Sequence, residues 1–283
     1  MIKAKNLNFS YDKDKTFINN LNVEIEKGKV TTILGPNGSG KSTLLSIFAG
    51  LNKPSSGDVT IKGKSIKSLK QKELAQEIAT VHQQNTVPSD ITVKELVYYG
   101  RIPRKKYFQG NSNEDEERVE WAIKRTGLEK LKDKSVMSMS GGERQRAFIA
   151  MALAQKSEIL FLDEPTIGLD PVVKENIRVL IKRLNKEKKT TIFLTSHDVG
   201  DIEKLCKRVI IVNDGKIVLD DTMENLKYHY LNKKIVEVKM KEQVNLDDED
   251  GIVILKDKGY NLKIEVDTTK RDISDVIKLL DTD

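Results

Sequence analysis

The 283-residue chain is 38% apolar and 33% charged. It is too rich in core-forming side chains for a disordered polymer, and long enough for one large domain or a domain plus a small appendage. Its net charge of +6 is uneven: from Lys233 onward there are 10 basic against 13 acidic residues, so the first 232 residues form a basic body that suits phosphate ligands, nucleic acid or an anionic membrane face.

A single cysteine, Cys206, excludes an internal disulfide and fits a reducing compartment. The start, MIKAKNLNFS, has no apolar signal core, and no run approaches the roughly 18 apolar residues of a membrane helix, so the chain is expected not to cross a membrane itself. In chain order, IKAKNLNFSY and NLNVEIEKGKVTTIL alternate or run apolar and predict β-structure, with Gly28 at a turn. Thr31–Leu34 predicts a buried strand that ends in GPNGSGKST and feeds an apolar helix, TLLSIFAGL. Asp58–Ile61 and Ile78–Val81 are further short strands. From about Asn85 to Gln155 the pattern turns helical. ITVKELVYYG has helical spacing, NEDEERVEWAIKRTG opens on acidic residues suited to a helix N-terminus, and Met139–Ala154 forms a third helix around a Gly-Gly start. Trp121, with Val119 and Ile123 nearby, reads as core.

Strands resume in ILFLD, TTIFLTSHD and RVIIVND, separated by the helices PVVKENIRVLIKRLNKEKK and DVGDIEKLC. That alternation implies a parallel sheet with crossovers. Cys206 reads as a small buried side chain, since nothing near it would activate a thiol. After about Leu226, KIVEVKM, GIVILKD and YNLKIEVD predict three strands and ISDVIKLL a closing helix, with Asp247–Asp250 an acidic turn between strands. His229 reads as surface or hinge.

Two motifs carry chemistry. Gly35–Thr43 fits G-x-x-x-x-G-K-[ST] at every fixed position, between a strand and a helix. Gly38 and Gly40 let successive backbone N–H groups face a phosphate, the helix start adds partial positive charge, Lys41 reaches the outer phosphates, and the Ser42 hydroxyl can ligate magnesium. The rest of the loop, Gly35, Pro36, Asn37, Ser39 and Thr43, completes the expected cradle. At the exit of ILFLDE, two adjacent carboxylates are costly unless used: Asp163 is the expected partner of magnesium, and Glu164 is placed to polarise an attacking water.

MSMSGGERQRAFIAMALA resembles the signature of the ATP-binding-cassette (ABC) family, read on Ser140, Gly141, Gly142 and Glu143, about twenty residues before the Asp163 strand. Met139 stands where the family usually has Leu, and Glu143 where it has Gln. Its two glycines open a helix and make a second anion-binding start; in the family this serves the ATP of a partner subunit, which implies a head-to-tail dimer with two ATPs sandwiched between chains. Further positions match in order. Tyr11 resembles the aromatic that stacks on adenine. Gln83 resembles the glutamine that senses magnesium and water, with Gln84 its rival and His82 incidental. Asp170 closes TIGLD, the loop that crosses the dimer interface, and His197 in LTSHD resembles the switch histidine at the γ-phosphate. The resemblance implies an α/β fold: a P-loop nucleoside-triphosphatase core with a mixed or parallel sheet and an N-terminal antiparallel β subdomain, spanning residues 1–226 and interrupted by a helical subdomain at about 85–156. A small α+β accessory domain over 233–283 follows, expected to stabilise a dimer or pack passively, with regulation as the alternative.

The family resemblance implies an ATPase with ATP and Mg²⁺, acting as a homodimer, or a heterodimer with a similar ATPase, on the cytoplasmic side of the cell membrane as a peripheral subunit. Its expected partners are polytopic permease subunits on separate chains and an extracellular substrate-binding protein; no nucleic acid is expected. The segment after Gln83, especially ELVYYGRIPR, resembles that of importers of iron–siderophores, haem and cobalamin. The stretch from EPTIGLDPVVKENIRVLIKRLN onward is similar to exporters of drugs, lipids or polysaccharides. The docking segment is nearer the membrane partner, so import of a metal chelate weighs more than export, and a soluble non-transport ATPase is the remote alternative.

Overall fold

A computed structural model describes residues 1–12, 15–106, 110–226, 232–239, 251–257, 260–272 and 274–276. His229 and the Asp247–Asp250 turn lie outside these residues, as does most of the expected closing helix, of which only 274–276 are described, as helix. The chain falls into two compact units, Met1–Asp220 and Asp221–Asp283.

The first unit begins with two long strands, β1 (Ile2–Asp12) and β2 (Lys15–Ile25), followed by β3 (Val30–Leu34) and helix α1 (Lys41–Phe48). Then come β4 (Ser56–Ile61), the two-residue β5 (Lys64–Ser65), α2 (Gln71–Glu77) and β6 (Ile78–Val81). The helical stretch holds α3 (Val93–Tyr99), α4 (Asn113–Thr126) and α5 (Gly141–Ala154). The chain then returns to the core through β7 (Ile159–Asp163), α6 (Pro171–Lys188), β8 (Thr191–Thr195), α7 (Val199–Leu205), β9 (Arg208–Asn213) and β10 (Lys216–Thr222).

Two sheets result. β2-β1-β4-β5 is antiparallel, and β10-β9-β3-β8-β7-β6 contains a parallel core in which β3 pairs with β8 and β9, and β7 with β6 and β8. This is the expected α/β core with an antiparallel β subdomain and an inserted helical block. Strands β7 and β8 are buried at every residue, as a sheet covered on both faces requires. Phe48 of α1 stacks on Phe193 of β8, which Phe161 of β7 meets edge-on, so the three rings join α1 to this sheet.

Local chemistry starts and stops the helices. Thr92, Ser112 and Ser140 each form a reciprocal capping box, with Glu95, Asp115 and Glu143 respectively. Gly127 ends α4 in the left-handed region. Ser140 as cap starts the third helix two residues later than the expected Met139, which is buried ahead of it. Trp121 is not core: it is half-buried, with the Arg118 guanidinium stacked 3.7 Å from its ring centroid. Arg118 supplies the cover that Val119 and Ile123, both fully buried, do not need.

The second unit holds α8 (Met223–Leu226) and a three-stranded antiparallel sheet of β11 (Lys233–Lys239), β12 (Ile252–Asp257) and β13 (Asn261–Asp267), ordered β11-β13-β12. Ile252, Leu262, Ile264, Val266 and Val276 form its own small core. Among the described residues no helix is long and apolar enough to cross a membrane.

Candidate active site

Because β3, β6, β7 and β8 run parallel in register, the loops after them gather at one edge of the sheet, where open α/β folds place their ligands. They enclose a cleft of about 370 Å³. The loop after β3 contributes Asn37, Gly38 and Gly40 to Thr43; Gln83, Glu164, Ile167 and His197 come from the other three, and Phe17 of β2 closes one side. Gln84 is not part of this lining.

The loop after β3 is a backbone cradle. Gly38 and Gly40 take φ of 80° and 108°, conformations that side chains with a Cβ resist. At Gly35 an added Cβ would fall 2.1 Å from the Val212 carbonyl oxygen. Helix α1 has no side-chain cap and no acidic residue in its first turn, so its free N–H groups and dipole are left for an anion. The buried Ser39 hydroxyl finds no protein partner in the structure. Lys41 Nζ donates to the carbonyls of Gly35 (2.9 Å) and Pro36 (3.1 Å), which hold the ammonium within the loop. An uncapped helix start, an unpartnered hydroxyl and a lysine beside them fit a polyphosphate.

Hydroxyls order the two carboxylates. Ser42 Oγ donates to Asp163 Oδ1 at 3.0 Å, and Thr195 Oγ1 donates to the same oxygen at 2.6 Å while accepting the Glu164 N–H at 2.9 Å. Glu164 is buried, with a φ of 50°, a left-handed conformation that is unusual for a non-glycine residue. Its Oε2 lies 2.7 Å from His197 Nδ1. Among the described residues no group of three His, Cys, Asp or Glu could cage a metal. The Ser42–Asp163 pair instead offers the few hard oxygen ligands with which Mg²⁺ binds beside phosphate.

Tyr11 is 63% exposed; its hydroxyl hydrogen-bonds Thr43 Oγ1 at 2.7 Å and its ring meets Phe9 and Phe17 edge-on. It stands beside the cleft, whereas Phe17 lines it. The structure does not bring Ser140, Gly141, Gly142 or Asp170 into this cleft. Ser140 and Gly141 are exposed at the start of α5, where the Ser140 N–H holds the Glu143 carboxyl below the usual range. Glutamate at this position is thereby explained as the second half of a capping box. Asp170 caps α6, accepting from Val172 N–H (3.0 Å) and Val173 N–H (2.9 Å). Gly142 presses on that helix: a Cβ there would sit 2.3 Å from Val173 Cγ1.

Three residues of the site went unread in the sequence: Thr195, Phe17 and Ile167. Thr195 carried a signal, as a polar side chain ending a buried strand. Phe17 carried none, because an aromatic in a strand is usually core.

The family model described as "ABC transporter" matches residues 18–167. The petrobactin import ATP-binding protein FpuC of Bacillus anthracis is 43% identical over 216 residues, 76% of this chain and 79% of that protein. The ferric enterobactin transport ATP-binding protein FepC of Escherichia coli is 42% identical over 217 residues, 77% and 80% of the two chains. Among solved structures, the ATP-binding cassette MJ0796, a dimer in a post-hydrolysis state bound to ADP and Pi, superposes with a TM-score of 0.70 at 32% identity over 79% of this chain and 99% of that one.

Proposed function

The chain belongs to the ABC transporter family and hydrolyses ATP; from that premise we propose that it is the ATPase subunit of a membrane importer for an iron–siderophore or related metal chelate. One observation carries the catalytic part: Glu164, buried and backed by Thr195, is paired with His197 at 2.7 Å across the cleft from an uncapped phosphate cradle. The loop of Gly35–Thr43 with Lys41 binds the phosphates, and Tyr11 with Phe17 flanks the adenine. Glu164 takes the proton of the attacking water, and His197 orients that carboxylate toward the terminal phosphate. Ser42 and Asp163, with Gln83, would hold Mg²⁺. When bound, the ion neutralises charge on the phosphate oxygens.

The Ser140–Gly142 helix start, exposed at Ser140 and Gly141, is a second anion site that does not serve its own cleft. It closes over the nucleotide of a partner subunit, with Asp170 at the same interface. Hydrolysis and release of the phosphate remove the charge that holds the pair shut, and the dimer opens. Separate permease chains carry the cargo and dock on the segment after Gln83, which places this chain peripherally on the cytoplasmic face. The import direction is supported by FpuC, a petrobactin import protein, and the iron-chelate cargo by FepC, a ferric enterobactin transport protein, both in accord with the docking segment. The second unit acts as an accessory domain.

Glu164→Gln tests the mechanism: it should bind ATP, hydrolyse none and accumulate as an ATP-bound dimer by size-exclusion chromatography. Full turnover in that variant refutes Glu164 as base. Transport assays of the complex with its co-purified permease, offering a ferric siderophore against a hydrophobic drug, test the direction. Uptake of neither chelate nor related metal complex, with efflux of the drug, sinks the import reading.

A further inference from the structure

A carboxylate taken wholly out of water is costly unless donors surround it. Asp201, on α7, is 0% exposed, and its three donors come from three separate segments. Arg178 Nε of α6 donates to Oδ1 at 2.6 Å, the Ser196 hydroxyl donates to Oδ2 at 2.8 Å, and the Thr166 hydroxyl donates to the same Oδ2. The positions of the two hydroxyls matter. Thr166 lies two residues after Glu164, and Ser196 immediately precedes His197. Ser196 Oγ also accepts the Asp198 N–H at 3.0 Å, so the residues on both sides of His197 are tied to one carboxylate. Asp198 is braced again by Lys174 Nζ at 2.7 Å and caps the Gly200 N–H.

The His197 side chain itself is 55% exposed. A side chain with so little packing keeps a fixed contact with Glu164 only if its backbone is held. Beside the Thr195 hydroxyl on the Glu164 N–H and the Ser196 N–H on the Ile33 carbonyl, Thr166 and Ser196 are the side-chain holds that both end on Asp201. None of Thr166, Arg178, Ser196 or Asp201 lines the cleft.

We propose that Asp201 is a positioning residue for the hydrolysis step: by gripping the loop after Glu164 and the loop bearing His197 together, it sets the Glu164–His197 pair, and through Arg178 it ties that pair to helix α6. This rests on the assignment of Glu164 and His197 made above. A networked buried carboxylate transmits small displacements to both loops, and a displacement near 1 Å at reacting groups costs about 100-fold in rate.

The test uses the full chain. Three histidines, His82, His197 and His229, make ring ¹⁵N spectra sparse, and His197→Ala assigns the signal. In Asp201→Asn, nucleotide-free, the His197 ring nitrogens should shift toward those of a free imidazole. kcat should fall by ~10–100-fold while KM for ATP stays within about twofold. Asp201→Asn also takes the buried carboxylate from Arg178, which keeps the longer contacts to Glu175 (3.4 Å) and Asp198 (3.5 Å), so a second variant separates positioning from stability: Asp201→Asn/Arg178→Gln replaces the ion pair by an uncharged amide pair and should recover melting temperature while His197 and kcat stay perturbed. Recovery of all three in the double variant overturns the proposal, as do unchanged His197 signals and kcat in Asp201→Asn. Full activity in His197→Ala would instead overturn the assignment of His197 itself.

Discussion

Asp115→Asn removes one hydrogen-bonded charge from the helical block that carries the Ser140 helix start. Asp115 and Arg101 are both buried, and Arg101 Nε donates to Asp115 Oδ1 at 2.7 Å. Burial alone would raise the carboxyl, but the Arg101 guanidinium and the N–H and hydroxyl of Ser112 outweigh it and hold it at about 2, against an ordinary 3.8. At ~1.4 kcal/mol per pK unit this difference contributes about 2 kcal/mol at neutral pH. Because the folded pKa is depressed, the contribution is complete above the unfolded value, near 4, is about half gone near pH 3, and is lost toward pH 2. The substitution keeps an amide oxygen facing Arg101 but removes its buried counter-charge, leaving the guanidinium the Ala154 carbonyl (2.8 Å) and the distant Glu114 carboxylate, so the expected loss is ~2 kcal/mol or more, a fall of roughly 5 °C in melting temperature. Urea unfolding followed by circular dichroism from pH 7 to pH 3 reads the effect. A gap under ~0.5 kcal/mol at pH 7, or one that stays constant across that range, would refute the account of Asp115 as a charge-stabilised cap.

Gly142→Ala should destabilise by ~1–3 kcal/mol, because its Cβ meets Val173 Cγ1 at 2.3 Å; thermal melts of the single variant and of Gly142→Ala/Val173→Ala check this, and a double variant no more stable than the single one rejects the clash. Thr195→Val should lower kcat by ~10-fold or more with little change in ATP affinity, since it unties Asp163 and Glu164 from one hydroxyl; fluorescent-nucleotide titration beside steady-state ATPase separates the two. Burial pushes the Cys206 thiol up to about 11, so its thiolate fraction at pH 8 is ~100-fold below that of an ordinary thiol. Alkylation by iodoacetamide should therefore be slow in the native protein and fast in urea, and equal rates would show the thiol to be accessible. A raised thiol pKa also means that folding favours the neutral form, so this group withdraws stability only as pH climbs past about 9.

Much of the site was legible in the chain because its chemistry is local. The cradle is nine consecutive residues whose glycines, lysine and hydroxyls act through the backbone they sit on. Asp163 and Glu164 follow a run of four apolar residues, and Ser140 announces its helix through Glu143 three positions on. Strands β3, β6, β7, β8 and β9 were legible for the same reason, as short apolar runs between turns. Helix α2 and strand β10 were not separately readable: the first is seven polar-rich residues, and the second alternates exposed and half-buried positions without a buried face. Trp121 misled because helical spacing places a residue on a face but does not say whether an arginine or a core covers it.

Sequence alone determined the family, the glycine-rich loop expected to cradle phosphate, the paired carboxylates and the two glycine-bearing helix starts, all of which depend on residues adjacent in the chain or separated by one helical turn. Tertiary structure alone decided which of these meet. The parallel register of β3, β6, β7 and β8 brings Lys41, Gln83, Glu164 and His197, separated by as many as 156 positions, to one cleft and leaves Ser140 out of it. It also set Thr195 between the two carboxylates and sank Asp201 beneath Thr166 and Ser196. Those contacts depend on where strands end in a sheet, and no local pattern of residues records that.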